Sequence, residues 1–175
     1  MNFFSQFFQK FTPQQSANQI WIPLRLSLSW IMLWAFLDKT FGLGFSTSAD
    51  TSWLSGVSPT TGYLQFAPDG PLAAIFNSLA GNVVIDWLFM LGLLGVGVAL
   101  LLGMGMRVAS VAGSLLMFLI WLSALPLENN PFMDQHIVYI LILIGLYNEP
   151  AAHTRLSLAE WWQNTRLVKN HPWLT

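Results

Sequence analysis

The stretch VVIDWLFMLGLLGVGVALLL, residues 83 to 102, carries a single charge, Asp86. At ~1.5 Å per residue a helix of that length covers about 30 Å, the thickness of a bilayer's hydrocarbon core. Lipid offers no hydrogen bonds, so a segment like this crosses as a helix, which satisfies its own backbone. The same character recurs three times. Trp21 to Leu37 is apolar apart from Arg25, Val108 to Leu125 has no charge, and a last run extends from Pro131 to about Tyr147. Charged residues make up 9% of the chain, against about 25% in soluble domains, and mean hydropathy is +0.55. The expected fold is all-α: a polytopic, up-down-up-down bundle of four transmembrane helices. Spans are expected near 20–39, 83–102, 107–126 and 131–147, within one membrane domain over 20–148.

Several chemistries find no support. Net charge is −1, which gives no footing for nucleic acid. The chain has no cysteine, hence no disulfide, thiolate metal site or thiol nucleophile. His136 is the one histidine in a span, and a haem held by two histidines within the membrane needs two. No glycine-rich phosphate loop is present, and Gly92, Gly95 and Gly97 read as packing glycines. No resident cofactor is expected.

The flanks read as surface segments. Within residues 1–19, Phe3, Phe7 and Phe11 form a helical stripe with Phe4 and Phe8, in the manner of an amphipathic helix lying on the membrane rather than a signal peptide. In the tail, 149–175, Arg155 to Val168 mixes Leu and Trp with charges and predicts a second amphipathic surface helix; a helix docked on the protein is the alternative. The outer loop, 40–82, is long enough to hold structure of its own. Asp69-Gly70-Pro71 resembles a helix start with Asp69 as cap. Gly95, Ala99 and Gly103, then Gly105, Ala109 and Gly113, recur every four residues and predict close helix approach. Arg25 is expected to snorkel toward the start of its helix. The halves echo each other, with Arg25 and Arg107 opening two spans and Asn82/Asp86 and Asn130/Asp134 opening the others.

With four spans, Asp38, Lys39, Asp86, Glu128, Asp134 and His136 gather at one end. Two readings fit. Acids in a first helical turn interact well with the dipole and with unpaired N–H groups, with Asn82 and Asn130 as caps. Alternatively the cluster is a site, because ionisable groups in spans are costly and usually face an interior or a wet cavity. In that reading Asp134 and His136 are the catalytic pair. Lys39, Asp86 and Tyr139 bind ligand, and Trp30 and Trp34 line the opposite wall. Such a pocket suits a flat amphiphile with carbonyl oxygens, a quinone, with His136 carrying protons. No metal is expected.

The segments PLRLSLSWIMLWAFLDKTFGLGF, SWLSGVSPTTGYL, GVALLLGMGMRVAS and FMDQHIVYILILIGL resemble, in order and spacing, the DoxX/DoxD family of small four-helix bacterial and archaeal membrane proteins, over about residues 20–147. The resemblance implies a subunit of the thiosulfate:quinone oxidoreductase type, working with a DoxA-like partner. This sequence departs from that model in its outer charge: a thiosulfate dianion needs cations, and Lys39 stands there among acids. The alternative is a non-catalytic accessory or structural subunit that packs against other membrane proteins.

Six of the seven cations (Lys10, Arg25, Arg107, Arg155, Arg166 and Lys169) fall on the side that holds both termini. By the positive-inside rule that side is cytoplasmic, in a cell inner membrane. Tags fused to either end are expected to react only from the cytoplasm; labelling of either from outside contradicts this orientation.

Overall fold

The computed structural model describes residues 13–128, 130–149 and 156–175. The predicted helix of Phe3 to Phe11 lies outside the described residues. Eight α-helices occur among the described residues: α1 (Pro13–Phe41), α2 (Thr61–Phe66), α3 (Ala73–Ser78), α4 (Val83–Leu102), α5 (Met106–Ser123), α6 (Gln135–Asn148), α7 (Ala159–Gln163) and α8 (Arg166–Asn170). Three are long and apolar enough to cross a membrane: Ile20–Phe41 within α1, α4 and α5. α6 is apolar but shorter, at 14 residues.

α4 matches the apolar run residue for residue. Asn82 caps it as expected, its Oδ1 accepting from the Val84 amide at 2.9 Å. α6 starts later than the sequence suggests. Asp134 is its cap, accepting from the His136 and Ile137 amides, while the Asn130 side chain turns the chain before it by accepting from Phe132 and Met133. In the outer loop, α2 was not foreseen. α3 has Leu72 at its N-cap with no side-chain hydrogen bond, so Asp69 does not cap it.

α1 packs along α4, α4 along α5, and α5 along α6, with α6 also touching α1. Leu28, Met32, Met90, Leu93, Val96, Leu100, Met106, Met117, Leu143 and Leu146 form the buried core they share. Opposite faces stay apolar and exposed, with Leu88, Leu91, Val111, Leu115, Leu141 and Ile144 outward. That is the pattern of helices solvated by lipid rather than water.

Close approach occurs at glycines, though not all those the spacing picked out. Gly97, rather than Gly95, is where α1 meets α4. A Cβ there would lie 2.7 Å from Leu33, and Ser29 Oγ donates to the Gly97 carbonyl at 2.7 Å. Gly113 admits Leu143 and Val96, as its place in the small-residue series implied. Gly95 has nothing within 4 Å of its notional Cβ.

Arg25 does not snorkel. It is completely buried, and its guanidinium reaches the last turn of α4. Nη1 donates to Leu100 O at 2.9 Å and to Leu101 O at 3.4 Å; Nη2 donates to Leu156 O at 2.8 Å, at the start of the tail. A helix's last carbonyls lack partners and carry the negative end of its dipole, so a cation there satisfies both. Gly103 follows in the left-handed conformation (φ 65°), and a Cβ on it would fall 2.5 Å from Arg25 Nη1 and from Ser157. Both conditions require glycine.

The tail is not the single helix expected over 155–168. It breaks at Asn164-Thr165 into α7 and α8, followed by a 3-10 turn over Pro172–Leu174. Ala159 and Val168 are buried, Leu158 N donates to Leu102 O at 2.8 Å, and Arg107 N donates to Thr175 O at 2.9 Å. Trp162 Nε1 donates to Leu174 O at 2.8 Å. The tail thus docks under the α4–α5 turn. Arg107 is exposed where Arg25 is buried, so the echo between the halves does not extend to their arginines.

Arg25→Met is expected to lower stability by about 3 kcal/mol or more, because it strands α4 carbonyls and detaches the tail. A denaturing-detergent titration reads this as an earlier midpoint; an unchanged midpoint contradicts the role assigned to Arg25.

Candidate functional site

The end of α1, the start of α4 and the outer loop meet at one rim, and the polar residues there bind the loop. Asp38 is buried within the last turn of α1. α1 then stops, and the chain doubles back so that the amides of Phe45 and Ser46 point at the carboxylate. Oδ1 accepts from Phe45 N at 3.2 Å; Oδ2 accepts from Ser46 N at 2.9 Å and Ser46 Oγ at 2.6 Å. Gly42 permits the reversal with φ 66°.

Asp86 does the same from α4. One turn inside the helix its side chain is buried, and Oδ1 accepts from Ser58 Oγ at 2.8 Å and Thr60 Oγ1 at 2.5 Å. Between those hydroxyls lies Pro59, whose carbonyl accepts from Lys39 Nζ at 3.4 Å. The same ammonium sits 5.9 Å from the centre of the Phe89 ring, one turn beyond Asp86. Lys39 and Asp86 therefore hold one loop segment from two helices. Lys39 forms no ion pair among the described residues; the pair found there is His136–Asp134. Trp53, on a 3-10 turn of the loop, meets Trp87 of α4 edge-on at 4.7 Å, which presses the loop onto the bundle. Tyr63 of α2 reaches Ser123 at the end of α5, with oxygens 3.0 Å apart.

Asp134 and His136 form a separate arrangement. His136 Nδ1 lies 2.6 Å from Asp134 Oδ2, and both are partly exposed. Partial burial pushes the Asp134 carboxyl up. The His136 ring and the two capping amides outweigh it and hold the group below the usual carboxylate range. A lowered native value means the cap stabilises the fold above the ordinary Asp range and weakens as pH falls through the native value. Tyr139 lies one turn further along α6, half-buried against the core.

Trp30 and Trp34 are neither opposite His136 nor part of the core. Their rings lie 5.5 Å apart on the outer flank of α1, and Trp34 meets Phe45 edge-on at 5.0 Å. With Ile31, Ala35, Asp38 and Ser46 they line an open groove of about 400 Å³. Asp134, His136 and Tyr139 are absent from its lining.

The predicted site residues thus fall into three places: Lys39 and Asp86 on helix ends facing the loop, Trp30 and Trp34 at the groove, and Asp134, His136 and Tyr139 at the start of α6. Sequence reasoning missed Ser46, Ser58 and Thr60, the partners that give the acids their roles. The only signal was hydroxyl density in GFSTS and SPTT. Among the described residues no three His, Asp or Glu side chains come together as a metal site would need. Comparison with protein-family models, with curated proteins and with solved structures finds no match to this chain.

Asp86→Ala leaves the buried Thr60 hydroxyl and the half-buried Ser58 hydroxyl without their acceptor, at a cost of about 1–3 kcal/mol. Faster proteolysis of the 40–60 segment is expected, while His136→Ala leaves that rate unchanged. Equal rates in both variants contradict a loop-holding role for Asp86.

Proposed function

We propose that this chain is a non-catalytic, four-span subunit that packs within a larger membrane assembly. α1, α4, α5 and α6 cross the bilayer up-down-up-down, with both termini on the cytoplasmic side of the inner membrane. The observation that carries the reading is the engagement of Asp38, Asp86 and Lys39. Three of the charged side chains that would furnish an outer recess each bind the protein's own loop instead. The broad apolar faces of α4, α5 and α6 are left to lipid or to neighbouring subunits. At ~1.5 Å per residue α6 covers only about 21 Å, so its capped start, with Asp134 and His136 paired, lies close to the apolar layer. A pair that satisfies itself lowers the cost of that position.

A second reading is favoured by the Asp134–His136 geometry. A partly exposed imidazole held 2.6 Å from a carboxylate, with Tyr139 a turn away, is an arrangement able to relay protons. Together with the resemblance to DoxX/DoxD proteins it supports a quinone-linked redox subunit, with quinone entering from the lipid beside α6. This reading needs only the α6 residues, not the full outer cluster.

Solubilisation from native membranes in mild detergent separates the two. The first reading predicts co-purification with other membrane proteins at fixed stoichiometry, and membranes whose quinone reduction is unaffected by His136→Ala. A solitary, monodisperse protein contradicts it. Loss of quinone reduction in His136→Ala and Asp134→Ala, with the fold intact, establishes the second.

A further inference from the structure

The groove on α1 joins aromatic side chains that neither role uses to Asp38, which also holds the loop. Its walls are aromatic: Trp30, Trp34 and Phe45, the first and last largely exposed, at 59% and 75%. At its loop end lies Asp38, 1% exposed and clamped by three donors from Phe45 and Ser46. Those hydrogen bonds are dipolar and leave the carboxylate's charge in place. No Lys, Arg or His nitrogen among the described residues comes within 4.0 Å of it. Lys39, its neighbour in sequence, is directed instead to Pro59 O and the Phe89 ring. A buried carboxylate with no ion-pair partner within 4.0 Å among the described residues, and with Lys39 acting on it only from longer range, favours a cation between the aromatic faces beside it. Trp is the strongest cation–π acceptor among side chains.

The position along α1 identifies what kind of cation. Asp38 lies near the end of the apolar segment Ile20–Phe41. Trp34 is one turn deeper, about 6 Å, and Trp30 another, about 12 Å below Asp38. The groove therefore runs from headgroup depth into the acyl layer and opens sideways on the helix's outer flank. We infer that it binds a phospholipid with an ammonium headgroup. The ammonium sits against Trp34 and Phe45 near Asp38, and an acyl chain lies along Trp30 and Ile31. An anionic headgroup is disfavoured by the Asp38 charge. This site is independent of whether the chain is catalytic.

The test is native mass spectrometry of the whole protein released from detergent micelles, titrated with dioleoyl phosphatidylethanolamine or with dioleoyl phosphatidylglycerol. The acyl chains are identical, and only the first carries an ammonium. Retention of the ethanolamine lipid is expected to be about tenfold tighter. Trp30→Leu and Phe45→Leu replace exposed rings by apolar side chains, which preserves the fold. Phe45→Leu, at the headgroup end, should weaken the ethanolamine lipid about threefold to tenfold and leave the glycerol lipid unchanged, whereas Trp30→Leu, beside the acyl chain, should weaken both lipids alike. Equal retention of the two lipids by the unaltered protein overturns the inference, as does an unchanged preference in Phe45→Leu. Free phosphoethanolamine competing as well as the intact lipid overturns the lipid assignment, since the chains would then add nothing.

Discussion

Arg25 is the constraint around which the rest is arranged. A guanidinium that is fully buried in an apolar bundle must have acceptors, and it finds them at the end of α4, 75 residues away in sequence, and at the start of the tail. Those carbonyls in turn need donors, because a helix end leaves them unpaired. One side chain thus settles the register of α1 against α4, requires glycine at 103, and brings the tail under the α4–α5 turn. The register it sets is read again one and two turns along, where Ser29 bonds the Gly97 carbonyl and Leu33 sits where a Cβ would be. It is read a third time at the far end, where Lys39 and Asp86 share the segment around Pro59.

At that far end the same economy of charge governs the loop. A long connection over an apolar bundle has many backbone and hydroxyl groups to satisfy and little core to press against. Asp38 gathers residues 45 and 46, Asp86 gathers 58 and 60, and Trp53 on Trp87 adds apolar contact between them. Carboxylates suit this task because each oxygen accepts more than one donor. The difference between the rims is instructive. One uses a cation to receive carbonyls at a helix end, the other uses anions to receive amides and hydroxyls from a loop.

Much of the architecture was legible because it is local. Uninterrupted apolar length defines α4, and the Asn82 cap is a short-range signal that held. The start of α6 was misplaced because Asn130 and Asp134 are both good caps, and only the turn between them decides which one the helix uses. The fate of Arg25 was not legible. Near a span's end an arginine can reach the interface or be buried, and the outcome depends on carbonyls far away in sequence. The same holds for Asp86, which reads equally well as a first-turn acid at a helix start or as a site residue until the hydroxyls of Ser58 and Thr60 are placed, and for Asp38, whose partners in residues 45 and 46 lie in a loop with no periodicity to read. Four-residue spacing put Gly95 and Gly113 on an equal footing, yet Gly95 faces open space while Gly113 admits Leu143. Periodicity names a face but not its neighbour.

The central claim is that the charged groups at both rims fasten otherwise exposed chain to the bundle. Hydrogen–deuterium exchange of the intact protein in lipid nanodiscs tests it most directly, peptide by peptide. Residues 42–60 and 156–175 are predicted to exchange as slowly as the ends of α1 and α4, opening only with them. Complete exchange of both segments at the earliest time point, at the rate of free coil, would show that neither rim is fastened and would remove the basis of this account.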